Sequence, residues 1–428
     1  MKRSIICNLI TLSCVFFPLI LQAQSGWQNA YRIYGCNSIF FADSLTGWYC
    51  GYSNKAAGTI CMTTDGGRTF QEKYSNPDID LYKLFFVKQT GYCCGTSGTI
   101  LKSINGGESW TSMQSNTTVN LYSIFFVDSL YGWACGNNTI VRTTDGGATW
   151  IAQVFPNANA SLTDIAFSTS QRGYCVDYHA WIGMNKNYQT TDGGLTWSEI
   201  AVPFVDGSTI QLLKPSTVII GGINGIVVST DGGVTWNLKW NLGTQYCLIN
   251  DIAFVDNKLG WAVGDGNVVL QTKDGGQNWE PQFLDARVGG PRALSCADSL
   301  HAWFVFYDGI YRTINGGKYQ LTSPALLAPA NYGTEQSINA VFSWSSIEHT
   351  TLYHFQLGND SLFHSLLIDD STLGSVSKSV SGLLTNTKYY WRVRAANSNG
   401  ISEWSEIWQF MTTIGIPFHR SPVDKAND

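Results

Sequence analysis

Residues Arg142–Trp150 read RTTDGGATW, and the chain writes six close copies of that stretch. They are MTTDGGRTF (Met62–Phe70), KSINGGESW (Lys102–Trp110), QTTDGGLTW (Gln189–Trp197), VSTDGGVTW (Val228–Trp236), QTKDGGQNW (Gln271–Trp279) and RTINGGKYQ (Arg312–Gln320). The Asp or Asn centres are Asp65, Asn105, Asp145, Asp192, Asp231, Asp274 and Asn315. They recur at a spacing of about 40 residues, the period of a propeller blade or a similar array. Between boxes each unit reads alike. An aromatic stretch such as LYSIFFVD (Leu121–Asp128) opens it, YGWACG follows, TIVRTTDGG runs into the box, and the residues from Trp150 onward close it. Four short antiparallel strands per unit make a blade, and seven blades in a ring cover one another's faces and edges.

Every centre is preceded at minus two by Ser or Thr and followed by two glycines. Asp and Asn fold onto nearby backbone N–H groups, and glycine accepts the positive φ of a tight turn. A large aromatic follows five residues after six of the centres, placed to cover the turn. Asn replaces Asp at two centres, which suits hydrogen bonding and not a catalytic carboxylate. The seventh unit has Gln320 where the aromatic belongs, whereas SGWQNAY near the other end carries Trp27. Trp27 and its neighbours are therefore expected to supply the outer strand of the last blade; the alternative is that KYQLTS (Lys318–Ser323) completes that blade alone.

The boxes resemble the Asp-box (BNR) pattern, and the GWAVG…T-x-DGG-x-TW unit resembles the propellers of the photosystem II assembly/stability factor-like family. That resemblance spans Ser25 to about Ser323 and implies a rigid binding or scaffolding surface. Asp-boxes also occur in sialidases, xyloglucan-degrading hydrolases and sortilin-type receptors, so the box transfers no activity.

Composition agrees with a turn-rich β protein: 44% apolar, 13% charged, 43 Gly, net charge −5. No dense Lys/Arg block suits nucleic acid or an anionic membrane. Residues 1–23 read as a signal peptide. Lys2 and Arg3 precede the run IICNLITLSCVFFPLILQA, and Ala23 suits cleavage. Cys14 lies mid-run behind Thr11-Leu12-Ser13, a poor lipoprotein match. No other segment is long and apolar enough to span a bilayer. Nine cysteines follow the signal. Cys50, Cys94 and Cys135 stand where GWAVG has Val263, so they read as small core hydrophobes. No Cys/His spacing suggests zinc; neither a metal nor a cofactor is expected.

From about residue 324 to 413 the period stops and a fibronectin type III domain is suggested. Trp344 in AVFSWSS and the run LLTNTKYYWRVRAANSNGISEWSEIWQF carry the resemblance, with Leu384, Asn386 and Tyr389 matching its tyrosine corner. Arg392 and Arg394 are expected on a solvated sheet face. Residues 414–428 form a short tail, without the length of the C-terminal sorting domain that many exported bacterial proteins of this architecture carry. The expected fold is thus all-β: a seven-bladed β-propeller over 24–323 and a C-terminal immunoglobulin-like sandwich.

Candidate ligand residues fall in three places. Asp164 and Asp251 share a column of the innermost strands with Lys83, Ser38, Ser123 and Gln211, expected to face the central channel. Two acids there raise a two-carboxylate glycosidase reading. The long unit four carries Tyr178, His179 and Trp181 in DYHAWIGMNKNYQ, a stacking surface for sugar or peptide. Tyr52, Lys55, Arg287 and Arg292 rim the same face. A sialidase reading is disfavoured at YRIYG (Tyr31–Gly35), where Tyr34 replaces the expected Pro, and Ser-His-Asp chemistry is disfavoured because no GxSxG-like elbow is present. The expected function is non-catalytic engagement of a protein or glycan by an exported, periplasmic, secreted or surface protein. A glycan-cleaving hydrolase and a membrane-complex assembly factor are the alternatives.

Overall fold

The computed structural model describes residues 24–51, 58–178, 186–203, 205–243, 247–282, 284, 290–397 and 400–414. The signal segment, the 415–428 tail, His179, Trp181, Tyr52, Lys55 and Arg287 lie outside them. Among the described residues strands account for nearly all the regular structure, with one short 3₁₀ turn at Thr96–Gly98. Among the described residues no helix is long and apolar enough to cross a membrane. The chain divides into two compact units, Ser25–Tyr319 and one that begins at Gln320.

The first unit has a β-propeller fold. It contains seven four-stranded sheets. Their innermost strands are Cys36–Phe41, Leu81–Val87, Leu121–Phe126, Leu162–Phe167, Asp206–Lys214, Ile249–Phe254 and Ala293–Cys296; the sheets are numbered in that order below. In each of the first six the strands follow one another antiparallel, as in Leu121–Phe126, Gly132–Gly136, Thr139–Thr143 and Ile151–Val154 of the third. The second strands are almost entirely buried and mostly apolar or small, as in GWACG and GWAVG.

Seven apolar clusters lie one between each pair of neighbouring sheets. One of them joins Ile39, Phe41 and Tyr49 of the first sheet to Ala293, Trp303 and Val305 of the seventh, so the array closes on itself. Phe41 and Trp303 stack across this seam with centroids 3.5 Å apart. The seventh sheet takes its outer strand from the other end of the unit: Gln24–Tyr31 pairs with Gly309–Gln320. Trp27 is 4% exposed, packs on Phe304, and donates from Nε1 to Gln282 Oε1 at 2.9 Å. It fills the place that Gln320 leaves without an aromatic.

The repeated box is a small closed network. In the third sheet Thr143 Oγ1 donates to Asp145 Oδ1 (2.8 Å) and accepts the N–H of Gly147 (2.8 Å). Asp145 also accepts from the N–H and hydroxyl of Thr149. Gly146 and Gly147 have φ of 70° and 81°, which explains the pair of glycines. Asn105 performs the same task, accepting from Ser109 N–H and donating to its hydroxyl. The box also serves its neighbour. Tyr92 of the second sheet donates to Gly146 O, Trp133 of the third to Gly193 O, Tyr174 of the fourth to Gly232 O, and Trp303 of the seventh to Gly66 O. In these four sheets an aromatic of the second strand thus hydrogen-bonds the box turn of the next sheet, whereas the buried Trp48 and Trp261 Nε1 of the first and sixth have no such partner.

The second unit is a two-sheet sandwich. Leu326–Ala328, Ala340–Trp344 and Ser377–Val380 form one sheet; the other is built on Leu352–Gly358, Lys388–Asn397 and Trp408–Thr412. Its core holds Phe342, Trp344, Phe355, Trp391 and Phe410. Tyr389 Oη accepts the N–H of Leu384 at 2.9 Å. Arg392 and Arg394 do lie on an outer face, but they are stacked and not simply solvated. Trp404 is sandwiched between their guanidinium groups at 4.3 and 4.4 Å, and Phe363 covers Arg392. Ser402 and Ser405 fix this ladder by accepting the N–H groups of Ala395 and Val393.

Candidate functional site

The polar column of the inner strands was the first candidate, and its register decides its role. Each of the first six inner strands carries a bulge near its start, so Leu121 pairs with Gly136 and Ser123 with Cys135. The same irregularity places Thr209 in the fifth sheet opposite Gly221. The column is therefore Ser38, Lys83, Ser123, Asp164, Thr209, Asp251 and Ala293. Gln211, expected in it, stands two residues further along, because the strand Asp206–Lys214 is bulged at both ends.

These side chains join neighbouring sheets. Ser38 Oγ accepts the N–H of Leu84, Asp164 Oδ2 that of Ile210, and Asp251 Oδ2 that of Leu294. In each case the donor follows the column position of the next sheet. Asp164 also accepts from Ser123 Oγ (2.8 Å), Thr209 Oγ1 (3.1 Å) and its own strand's Ile165 N–H (3.1 Å). Asp164 is 8% and Asp251 6% exposed. The solvated channel wall expected at these carboxylates is corrected on that ground: they are buried, and every carboxylate oxygen accepts a backbone N–H. A buried N–H without an acceptor is costly, which explains why an acid sits where no solvent reaches.

Lys83 is the member that crosses the ring. Its Nζ lies 3.8 Å from Asp251 Oδ1, and its side chain keeps 30% exposure. Burial opposes the ammonium charge, but Asp251 and Asp164 together hold its pKa above the usual lysine value. Burial raises the Asp251 carboxyl, Lys83 lowers it and Asp164 raises it again, with a net upward direction. A two-carboxylate hydrolase needs an exposed acid poised against bound sugar. Here both carboxylates face protein donors.

The mouth of the ring lies one residue earlier, at the bulges. Asn37 donates to Leu81 O, Thr163 to Ser208 O, Ser208 to Ile249 O, and Asn250 to Pro291 O, each on the next sheet. Tyr82 and Tyr122 meet there with centroids 5.3 Å apart. Arg292 occupies the bulge-equivalent place in the seventh sheet and is exposed; its backbone N–H donates to Val305 O. Tyr178 follows the strand Gly173–Asp177, half-buried, with its N–H bonded to Ser161 O. Of the candidates, the structure joins Lys83 directly to Asp251 and sets Asp164 within their field. Arg292 and Tyr178 sit on other sheets along the rim.

A separate cavity of about 480 Å³ lies between the outer part of the fourth sheet and the fifth, lined by Lys186, Asn187, Val202, Val205 and Trp236 among others. Lys186 pairs with Glu199 at 2.7 Å on its edge, and the buried Asn187 Oδ1 has no hydrogen-bond partner. Among the described residues no group of His, Cys, Asp and Glu is arranged to hold a metal. The nine cysteines are free thiols, eight of them buried.

Comparison with known proteins adds a likeness over part of the chain. Residues 210–323 match the model of the photosynthesis system II assembly factor YCF48. The chain is similar there to that family. A curated relative, the photosystem II assembly lipoprotein Ycf48 of Synechococcus sp. (strain CC9902), is 30% identical over 115 residues, 26% of this chain. The chain spans 34% of that relative's length. Among solved structures, a YCF48 bound to a D1 peptide superposes with TM-score 0.55 at 17% identity, over 68% of this chain and 97% of that one. YCF48 from Cyanidioschyzon merolae gives 0.53 at 16% identity, over 68% and 98%. A streptogramin B lyase gives 0.54 at 16%, over 67% and 96%. At these identities the superpositions speak to the propeller fold alone, which binders and an enzyme share.

Proposed function

We propose that this chain is an exported, non-catalytic binding protein that holds a segment of a partner polypeptide on the face of its propeller, in the manner of an assembly factor. The match of residues 210–323 to the YCF48 assembly-factor model carries this reading. It favours a protein partner over the glycan considered from sequence. The relative bound to a D1 peptide supports an extended segment as the bound form. The photosystem itself is not carried over to this chain. The propeller is read as seven-bladed and its turns as Asp-boxes, supported by seven four-stranded sheets and the repeated Thr–Asp–Gly network. The second unit is read as a fibronectin type III spacer or adhesive module, supported by the Tyr389–Leu384 bond and the two-sheet topology. Export rests on the segment Lys2–Ala23, and the lipoprotein relative favours a place near a membrane surface.

The hydrolase alternative loses its residues, because Asp164 and Asp251 are committed to neighbouring sheets. The test is a binding and turnover screen of the purified chain. Peptides tiled from the exported proteins of its own cell are read by fluorescence anisotropy, beside polysaccharides read by reducing-sugar release. Saturable peptide binding without sugar release is expected. Polysaccharide cleavage abolished by Asp251→Asn would overturn the proposal.

A further inference from the structure

The seam where the ring closes carries an exposed surface that none of its structural bonds explains. Tyr34 lies between the closing strand Gln24–Tyr31 and the first inner strand, and Tyr307 lies on the turn between Ala302–Phe306 and Gly309–Gln320. Their rings meet edge to face, centroids 5.9 Å apart at 71°, yet remain 63% and 70% exposed. Two large rings held against each other in water have not been placed there by core packing. Arg32, two residues before Tyr34, and Arg292 are exposed. A Cβ on Gly309 would lie 2.4 Å from Tyr31 O and 3.3 Å from Arg32 Cα, so the Tyr307 turn abuts Arg32. Arg292 N–H bonds Val305 O, two residues before Tyr307. Among the described residues neither guanidinium has an ion-pair partner. Asp308, next to Tyr307, keeps Oδ1 buried without a hydrogen-bond donor, while Tyr311 reaches Oδ2 at 3.4 Å.

We infer that Tyr34, Tyr307, Arg32 and Arg292 form the docking surface for an extended peptide that carries a carboxylate beside an aromatic or proline residue. The inference rests on the peptide-binding reading above and names where and what it binds. The T-shaped tyrosine pair leaves an angular cleft suited to a flat side chain. The arginines suit a carboxylate by paired N–H donors. A neutral sugar answers the rings but neither charge. The site is locally cationic on a chain of net charge −5, which is the complementarity an acidic segment uses.

The test uses the full chain and fluorescein-labelled nonapeptides. Each contains Pro-Tyr followed by Asp-Glu, with a matched copy bearing Asn-Gln and a uronate oligosaccharide as the non-peptide anion. The acidic peptide is expected to bind, the amide copy at least about tenfold more weakly, with affinity falling as salt rises. Tyr34→Ser with Tyr307→Ser, and separately Arg292→Gln, are expected to weaken it about tenfold each. These exposed changes leave the melting temperature unchanged, so lost binding is not lost fold. If the parent binds the acidic peptide and the tyrosine double variant binds it equally, this surface is wrong while the peptide-binding reading stands. If the parent binds neither this peptide nor any tiled one, both fall. Tyrosine-dependent binding of the uronate but not the peptide overturns the peptide and assigns the surface to an anionic glycan.

Discussion

Replacing Asp164 by Asn separates a structural carboxylate from a catalytic one. The wild-type carboxylate takes Ser123 Oγ and Ile165 N–H on Oδ1, and Thr209 Oγ1 and Ile210 N–H on Oδ2. An amide has one acceptor oxygen. Whichever way it is turned, its NH₂ faces one of the two backbone N–H groups. The hydroxyls can rotate to accept, but the main chain cannot. One buried N–H is left unsatisfied, at a cost of about 1–3 kcal/mol. Asp164→Ala leaves both unsatisfied and opens a small cavity, for about 2–5 kcal/mol. The assay is urea unfolding followed by tryptophan fluorescence, which reports the propeller through Trp133 and Trp261, both fully buried. The order expected is wild type, then Asn, then Ala, with unchanged far-UV circular dichroism. Residues kept for catalysis behave in the opposite way, since removing them often stabilises. An Asn variant within about 0.5 kcal/mol of the parent would refute the assignment of Asp164 to the joint between sheets.

Other expectations follow from the same geometry. Trp27→Ala removes a buried indole from the closing strand and should cost about 3–5 kcal/mol, read as a large drop in urea midpoint; a small change would mean the ring is closed without it. The Thr149 hydroxyl and N–H hold Asp145 at about 2, below its unfolded value near 4. Its contribution is therefore present above pH 4 and lost as pH falls toward 2. Asp145→Asn should cost about 1 kcal/mol or less at pH 7, since the group is exposed, and the difference from the parent should vanish by about pH 2. In the second unit, Trp404→Ala dismantles the stack between Arg392 and Arg394 and should lower that unit's stability by about 1–3 kcal/mol. Differential scanning calorimetry should show one transition shifted and the propeller transition unmoved.

The box and its period were legible because a turn of positive φ admits so few residues, and the missing aromatic at Gln320 pointed to Trp27. The partners of the inner column were not legible. Its polar character showed in Asp164 and Asp251, but the N–H groups of Ile210 and Leu294 that saturate them belong to other sheets. Gln211 stands outside the column because a bulge at Gly207–Thr209 shifts the register, and nothing in DGSTIQ (Asp206–Gln211) marks a bulge beyond Gly207 itself. The bonds from Tyr92, Trp133, Tyr174 and Trp303 to the next box were hidden for a similar reason: each aromatic also reads as core. Tyr34 and Tyr307 obey no repeat, and that irregularity was the available signal. Tyr34 stands in YRIYG, in the place where an arginine motif would carry Pro.

The central claim is that the inner acids hold the ring together while binding occurs on its exposed face. It is tested most directly by titrating the labelled acidic nonapeptide into the parent, Asp164→Asn and the Tyr34→Ser/Tyr307→Ser variant at a urea-free temperature where all are folded. The account expects the first two to agree within about twofold and the third to bind about tenfold more weakly. Loss of binding in Asp164→Asn, with the tyrosine variant intact, would contradict it.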